Sequence, residues 1–137
     1  MKRQFLNGVL NIMEYAIIGL FIYSALTKII SPFEFQVKLV KASYLPISVI
    51  PLITWMLPAG EVIAVGLLLF KRSAGMGWMM IYGLMSFFNG HLLILHHIVP
   101  TAPCSCGGVL ESIGFAEHFM LNMLITIFAL YKVYRQQ

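Results

Sequence analysis

The sequence predicts an all-α integral membrane protein, a four-transmembrane-helix bundle with a short amphipathic helix at the interface between the first two spans. Two observations carry this. Hydrophobic residues make up 60% of the 137-residue chain and charged residues only 10%, with no Asp at all, where a soluble domain carries about 25% charged residues. The apolar residues also gather into four runs, at about 9–30, 47–70, 75–99 and 113–134. Each is near the ~20 residues a helix needs to cross ~30 Å of hydrocarbon. None alternates as a barrel strand does, and only helices and closed barrels satisfy their backbone groups in lipid. Residues 1–137 therefore read as a single integral membrane domain.

The first run follows Lys2 and Arg3, as a signal peptide would. It is long, contains Glu14 and lacks a small-x-small cleavage site before Lys28, so it reads as a retained span. After it, Ser31 to Pro46 mixes Phe33, Phe35, Val37, Leu39 and Val40 with Glu34, Lys38 and Lys41. That pattern predicts the amphipathic helix lying at the interface, and Ser31-Pro32 suits an N-cap followed by proline in the first turn. The second run holds Pro51 and Pro58, both expected to bend it. Its Gly60 and Ala64 are a small-xxx-small pair that lets a neighbouring helix come close. The third run ends in His91, His96 and His97, and the fourth carries His118 and Asn122.

Lys and Arg set the orientation. One side holds Lys2, Arg3, Lys71, Arg72, Lys132 and Arg135, the other only Lys28, Lys38 and Lys41. The positive-inside rule puts both termini in the cytoplasm and the turn before the last helix outside. In a bacterium this is an inner-membrane protein with that turn in the periplasm, where disulfides persist. The +4 net charge lies at segment ends, which marks topology. It lacks the basic, aromatic-interleaved face of a nucleic-acid binder, so membrane lipid is the surrounding partner and nucleic acid is excluded.

That outer turn, Pro103-Cys104-Ser105-Cys106-Gly107-Gly108, holds both cysteines of the chain. A bridge between Cys104 and Cys106 closes too small a ring to serve as a staple; such strained bridges are the labile, redox-active ones. Two inert thiols, or half of a metal site, are the other readings. The metal reading needs His97 and His118 as further ligands for zinc or copper. His91 and His96, five residues apart at about 100° per residue, cannot face one ion, and no residue is assigned to a metal.

His118 and Asn122 share a helix face. The imidazole could move a proton to or from a thiol or hold a quinone carbonyl, or simply tie helices together. Charges within spans are costly and mark functional candidates. Glu61 lies deepest, and Lys28 is its expected partner. Glu14 lies on nearly the same face as Lys28 but about 21 Å along the axis at 1.5 Å per residue, so those two cannot pair. A Lys28–Glu61 pair could fix helix order or line a pocket for a quinone headgroup or a proton.

Ala25-Leu26-Thr27-Lys28, Phe33 and Phe35, Leu57-Pro58-Ala59-Gly60-Glu61 and Cys104-Ser105-Cys106-Gly107-Gly108 together resemble the MauE branch of the DoxX-like membrane proteins over nearly the whole chain. The chain differs in having Gly108 where many relatives place Phe. It has Phe115 where an aromatic residue, often Trp, is expected. The resemblance implies a four-helix bundle in the inner membrane associated with redox steps outside it. In MauE these support maturation of methylamine dehydrogenase, alongside a thioredoxin-like partner. By position it implies Cys104 and Cys106 as the exchanging pair and Lys28 and Glu61 as the family's polar residues.

The expectation is thus a thiol–disulfide oxidoreductase component that exchanges electrons with a periplasmic thioredoxin-like partner or supports maturation of a client enzyme. Cys104, Cys106 and His118 would be catalytic. A membrane quinone near Glu61, Lys28 and Asn122 is the simplest other electron terminus. The alternatives are a metal-binding or non-catalytic accessory protein for periplasmic enzyme assembly, and a scaffold whose cysteines are incidental.

Overall fold

The computed structural model describes residues 1–41, 45–98 and 114–136, so that Cys104 and Cys106 lie outside the described residues. Five helices, α1 (Lys2–Ile30), α2 (Pro32–Lys41), α3 (Ile50–Leu69), α4 (Ala74–Ile98) and α5 (Phe115–Arg135), and one 3-10 turn (Ile47–Val49) account for the architecture. Among the described residues there is no strand.

α1 begins at Lys2 and not near Val9. The run of hydrophobicity starts later than the helix because Gln4 and Asn7 are polar without being helix breakers. At its other end the chain turns on Ser31. Its N–H donates to the Thr27 carbonyl (3.2 Å), and its own carbonyl accepts from Phe35 N–H (3.2 Å), so one residue ends α1 and starts α2. The amphipathic helix lies where the pattern put it: Phe35 and Leu39, four apart, are buried, while Phe33 and Val40 are exposed.

The two prolines of α3 differ. Pro51 sits in the first turn, where a missing N–H has no helical acceptor to disappoint, which corrects the expectation that it bends the helix. Pro58 lies inside α3, and the helix continues through it to Leu69. The α3–α4 turn is closed by Ser73, whose hydroxyl donates to the carbonyls of Leu67 (2.9 Å) and Phe70 (3.3 Å). These are carbonyls that a helix C-terminus otherwise leaves unpaired.

The long helices run antiparallel in the order α1 against α3, α3 against α4 and α4 against α5, with α2 laid over the start of α3. Among the described residues three helices are long and apolar enough to cross a membrane, Gln4–Ile30, Ile47–Leu69 and Ala74–Ile98. α5 has the length but not the hydropathy, because any 18-residue stretch of it contains His118, Asn122 and Lys132. The sequence expectation of four spans therefore stands at three by composition.

Lipid is as apolar as leucine, so close packing and polar contacts must hold such helices together. Trp78 and Ile81 of α4 and Ala64 of α3 are completely enclosed, and Trp78 meets Phe128 of α5 edge-on at 5.5 Å. Gly60 faces Leu84 of α4, but a tighter approach is at Gly77, where an added Cβ would stand 2.9 Å from the Leu68 side chain and 3.0 Å from its backbone nitrogen.

Candidate functional site

The end of the bundle where α1 finishes and α5 begins carries a group of buried polar side chains. Lys28, one turn from the end of α1, is 3% exposed, Glu61 1%, His118 1% and Asn122 5%. The sequence sets each on an inward face. Ala25, fully packed one turn before Lys28, lets α1 approach α3. His118, Asn122 and Thr126 recur every four residues along one stripe of α5.

Lys28 Nζ lies 2.8 Å from Glu61 Oε1, so the two partners expected from sequence meet. Ser24 completes the contact: it accepts from Lys28 Nζ at 2.5 Å and donates to Glu61 Oε1 at 3.1 Å. The ammonium also sits over the rings of Phe35 and Phe88, at 5.8 and 5.7 Å from their centroids. Those rings exclude water and stabilise the cation by their quadrupoles. Ser24 and Phe88 escaped the sequence reading. Ser24 could have been found from its spacing of four before Lys28, whereas no local signal marks Phe88.

The remaining polar atoms face a cleft. Ser24 and Lys28 from α1, Glu61 from α3, Phe88 from α4, and His118 and Asn122 from α5 border it. Its volume is about 30 Å³, room for one or two waters. On its wall Glu61 Oε2 and Asn122 Nδ2 are buried without a hydrogen-bond partner. One is an acceptor and the other a donor.

Beyond Asn122 the polar stripe continues. Thr126 donates to the Asn122 backbone carbonyl (2.7 Å) and accepts from Asn89 Nδ2 (3.0 Å), joining α5 to α4. At the opposite end of the bundle a second ion pair, Lys132–Glu14, links α5 to α1. Sequence reasoning excluded Lys28 as a partner for Glu14 but did not find Lys132.

The structure thus brings four of the six candidate residues, Lys28, Glu61, His118 and Asn122, onto one cleft. Cys104 and Cys106 belong to the undescribed connection between α4 and α5. The two ends of that connection are held together by His96, stacked on Phe115 with centroids 4.1 Å apart. His97 is exposed at the end of α4. Among the described residues no three of His, Cys, Asp and Glu gather as a metal site would need.

Chemically, the Lys28–Glu61 pair is a neutral unit fixed in place. Its free carboxylate oxygen, the Asn122 amide and the His118 imidazole can together bind a small polar group or pass a proton.

A family model described as methylamine utilisation protein MauE matches residues 6–135. No curated protein and no solved structure matches the chain.

Proposed function

The chain is a member of the MauE family, and from this premise we propose that it is a membrane thiol–disulfide redox protein serving the maturation of a periplasmic enzyme. In this reading the Cys104–Cys106 disulfide is attacked by a thiolate of a thioredoxin-like partner or client. A mixed disulfide forms, and a second partner thiolate resolves it. The partner leaves oxidised and the Cys104/Cys106 pair leaves as two thiols.

The observation that carries the reading is the location of the cleft. It lies at the end of the bundle from which α4 leaves and to which α5 returns, and so at the foot of the connection that holds both cysteines. A buried imidazole and a fixed carboxylate there are the groups that proton release from a thiol pair calls for.

α5 serves as the fourth span. Its 21 residues give about 30 Å at 1.5 Å per residue. The side chains that lower its hydropathy turn inward: His118 and Asn122 into the cleft, Lys132 onto Glu14. What it presents outward is Met120, Leu124, Ile127 and Leu130, all exposed. Burial of Lys28 also removes it from the outer side's count of free charges. That strengthens the bias of Lys2, Arg3, Lys71, Arg72 and Arg135 towards a cytoplasmic location of both termini.

The test is covalent capture. In a Cys106→Ser variant the lone Cys104 thiolate should attack the disulfide of the oxidised partner, the same exchange run in reverse. With no Cys106 to resolve it, Cys104 should accumulate as a mixed disulfide with a periplasmic protein, visible on non-reducing gels and lost on reduction. If no such adduct forms in cells that express the partner enzyme, and Cys104→Ser/Cys106→Ser supports full maturation, thiol exchange is not what this protein does.

A further inference from the structure

Building on the redox reading above, we propose that the polar cleft and the apolar groove between α1 and α5 form one binding site for a lipid-soluble quinone. The carbonyl edge faces Asn122 and Glu61, and the ring and tail lie along the groove.

The groove is the larger of the two spaces, with a volume of about 200 Å³. Ala16, Ile17 and Leu20 from α1 and Leu121, Leu124 and Ile125 from α5 line it. Nothing on its wall could hold water by hydrogen bonds, so its occupant is a hydrocarbon or a ring. Leu20 borders both the groove and the cleft, and Leu121 precedes Asn122 in the chain, so the two spaces adjoin along the same pair of helices. α1 and α5 are also the neighbours that close packing does not seal. A molecule dissolved in the bilayer can therefore reach the cleft between them.

The cleft selects among such molecules. A plain acyl chain offers nothing to Asn122 Nδ2 or Glu61 Oε2 and would leave them to the one or two waters the cleft admits. A quinone carbonyl accepts from the Asn122 amide. Once reduced, the quinol hydroxyl donates to the free Glu61 oxygen. The cleft has a partner for each redox state, and its small volume admits the oxygen while the groove takes the ring.

The electron balance closes with the reaction proposed above. When the two thiols of Cys104 and Cys106 re-form their S–S bond, two electrons and two protons are released, and these convert one quinone to one quinol.

The experiment uses the full chain in lipid nanodiscs as its Cys104→Ser/Cys106→Ser variant, so that binding is read without thiol chemistry. The probes are decylubiquinone and a photoreactive azidoquinone. Labelling should saturate, be suppressed by excess decylubiquinone, and map to peptides of α1 and α5 that border the groove. Ala16→Trp, which fills the groove from its wall, should abolish it. Asn122→Leu should weaken binding by about tenfold or more, the effect of one lost hydrogen bond.

Labelling spread over the lipid-facing surface, suppression by n-decane equal to that by decylubiquinone, or unchanged binding in both variants would overturn the site. Saturable labelling together with a failed mixed-disulfide capture would leave the site standing and remove the redox role. Successful capture without quinone binding would remove the site alone.

Discussion

Lys28 Nζ and Glu61 Oε1 sit 2.8 Å apart with their side chains 2% and 1% exposed, so the contact between α1 and α3 is registered by an ion pair buried away from bulk solvent. Either charge alone would be stranded beside the Phe35 and Phe88 rings, in surroundings where an uncompensated ion is far more costly than an apolar side chain.

Removing one partner should therefore hurt more than removing both. Lys28→Met or Glu61→Leu alone is expected to cost about 3–5 kcal/mol, and the double variant to regain most of it. Thermal unfolding in detergent checks this, with elution as a monodisperse species as a second measure. Single variants as stable as the parent would mean that the pair does not hold the helices in register.

Gly77 should be intolerant of any side chain. An added Cβ would meet Leu68 at 2.9 Å, including a backbone nitrogen at 3.0 Å that cannot move without shifting α3. Gly77→Ala is expected to destabilise by about 1–3 kcal/mol, the usual cost of overpacking. Gly83, around which an added Cβ finds nothing within 4 Å, supplies the comparison, since Gly83→Ala should be neutral or slightly stabilising through helix propensity. Equal melting temperatures for the two variants would contradict this packing.

How much of this could be read beforehand depends on the kind of information each feature needs. Lys28 and Glu61 were legible as partners because charges within spans are rare and must find each other. The amphipathic α2 was legible because its apolar residues recur at helical spacing. Glu14–Lys132 was not, because it joins residues 118 positions apart and depends on how far α5 is rotated relative to α1. The Asn89–Thr126 contact failed for the same reason: neither residue is unusual enough to be singled out without knowing that their faces meet. The four spans expected from sequence counted the run at 113–134; by composition three of the described helices qualify, because hydropathy averages over all faces of α5 and carries no sign that His118 and Asn122 are buried.

The second ion pair should matter less than the first. Lys132 and Glu14 are 13% and 25% exposed at the side chain, so Glu14→Gln is expected to cost no more than about 1 kcal/mol. Lys132→Met should cost more, because the ammonium also lies 5.6 Å from the Trp78 ring and 5.7 Å from that of Phe128, contacts worth about 0.5–2 kcal/mol when desolvated. A double-mutant cycle separates the two contributions. A coupling energy as large as that of Lys28–Glu61 would mean that solvent screening at this end has been overestimated.

The role of α5 decides the topology, and labelling can settle it. If α5 crosses the membrane, the connection that holds Cys104 and Cys106 and the residue Gln136 near the C-terminus lie on opposite sides. If it lies along the surface, they lie on the same side. A membrane-impermeant maleimide applied to cells with a permeabilised outer membrane should reach Cys104 and Cys106 after mild reduction. In a Cys104→Ser/Cys106→Ser background, Gln136→Cys should react only after the inner membrane is opened. Reaction at both places from outside would leave α5 as a surface helix. Its inward stripe of His118, Asn122 and Thr126 would then face an interface where water already satisfies polar groups, and the physical reason for burying them in a cleft would disappear.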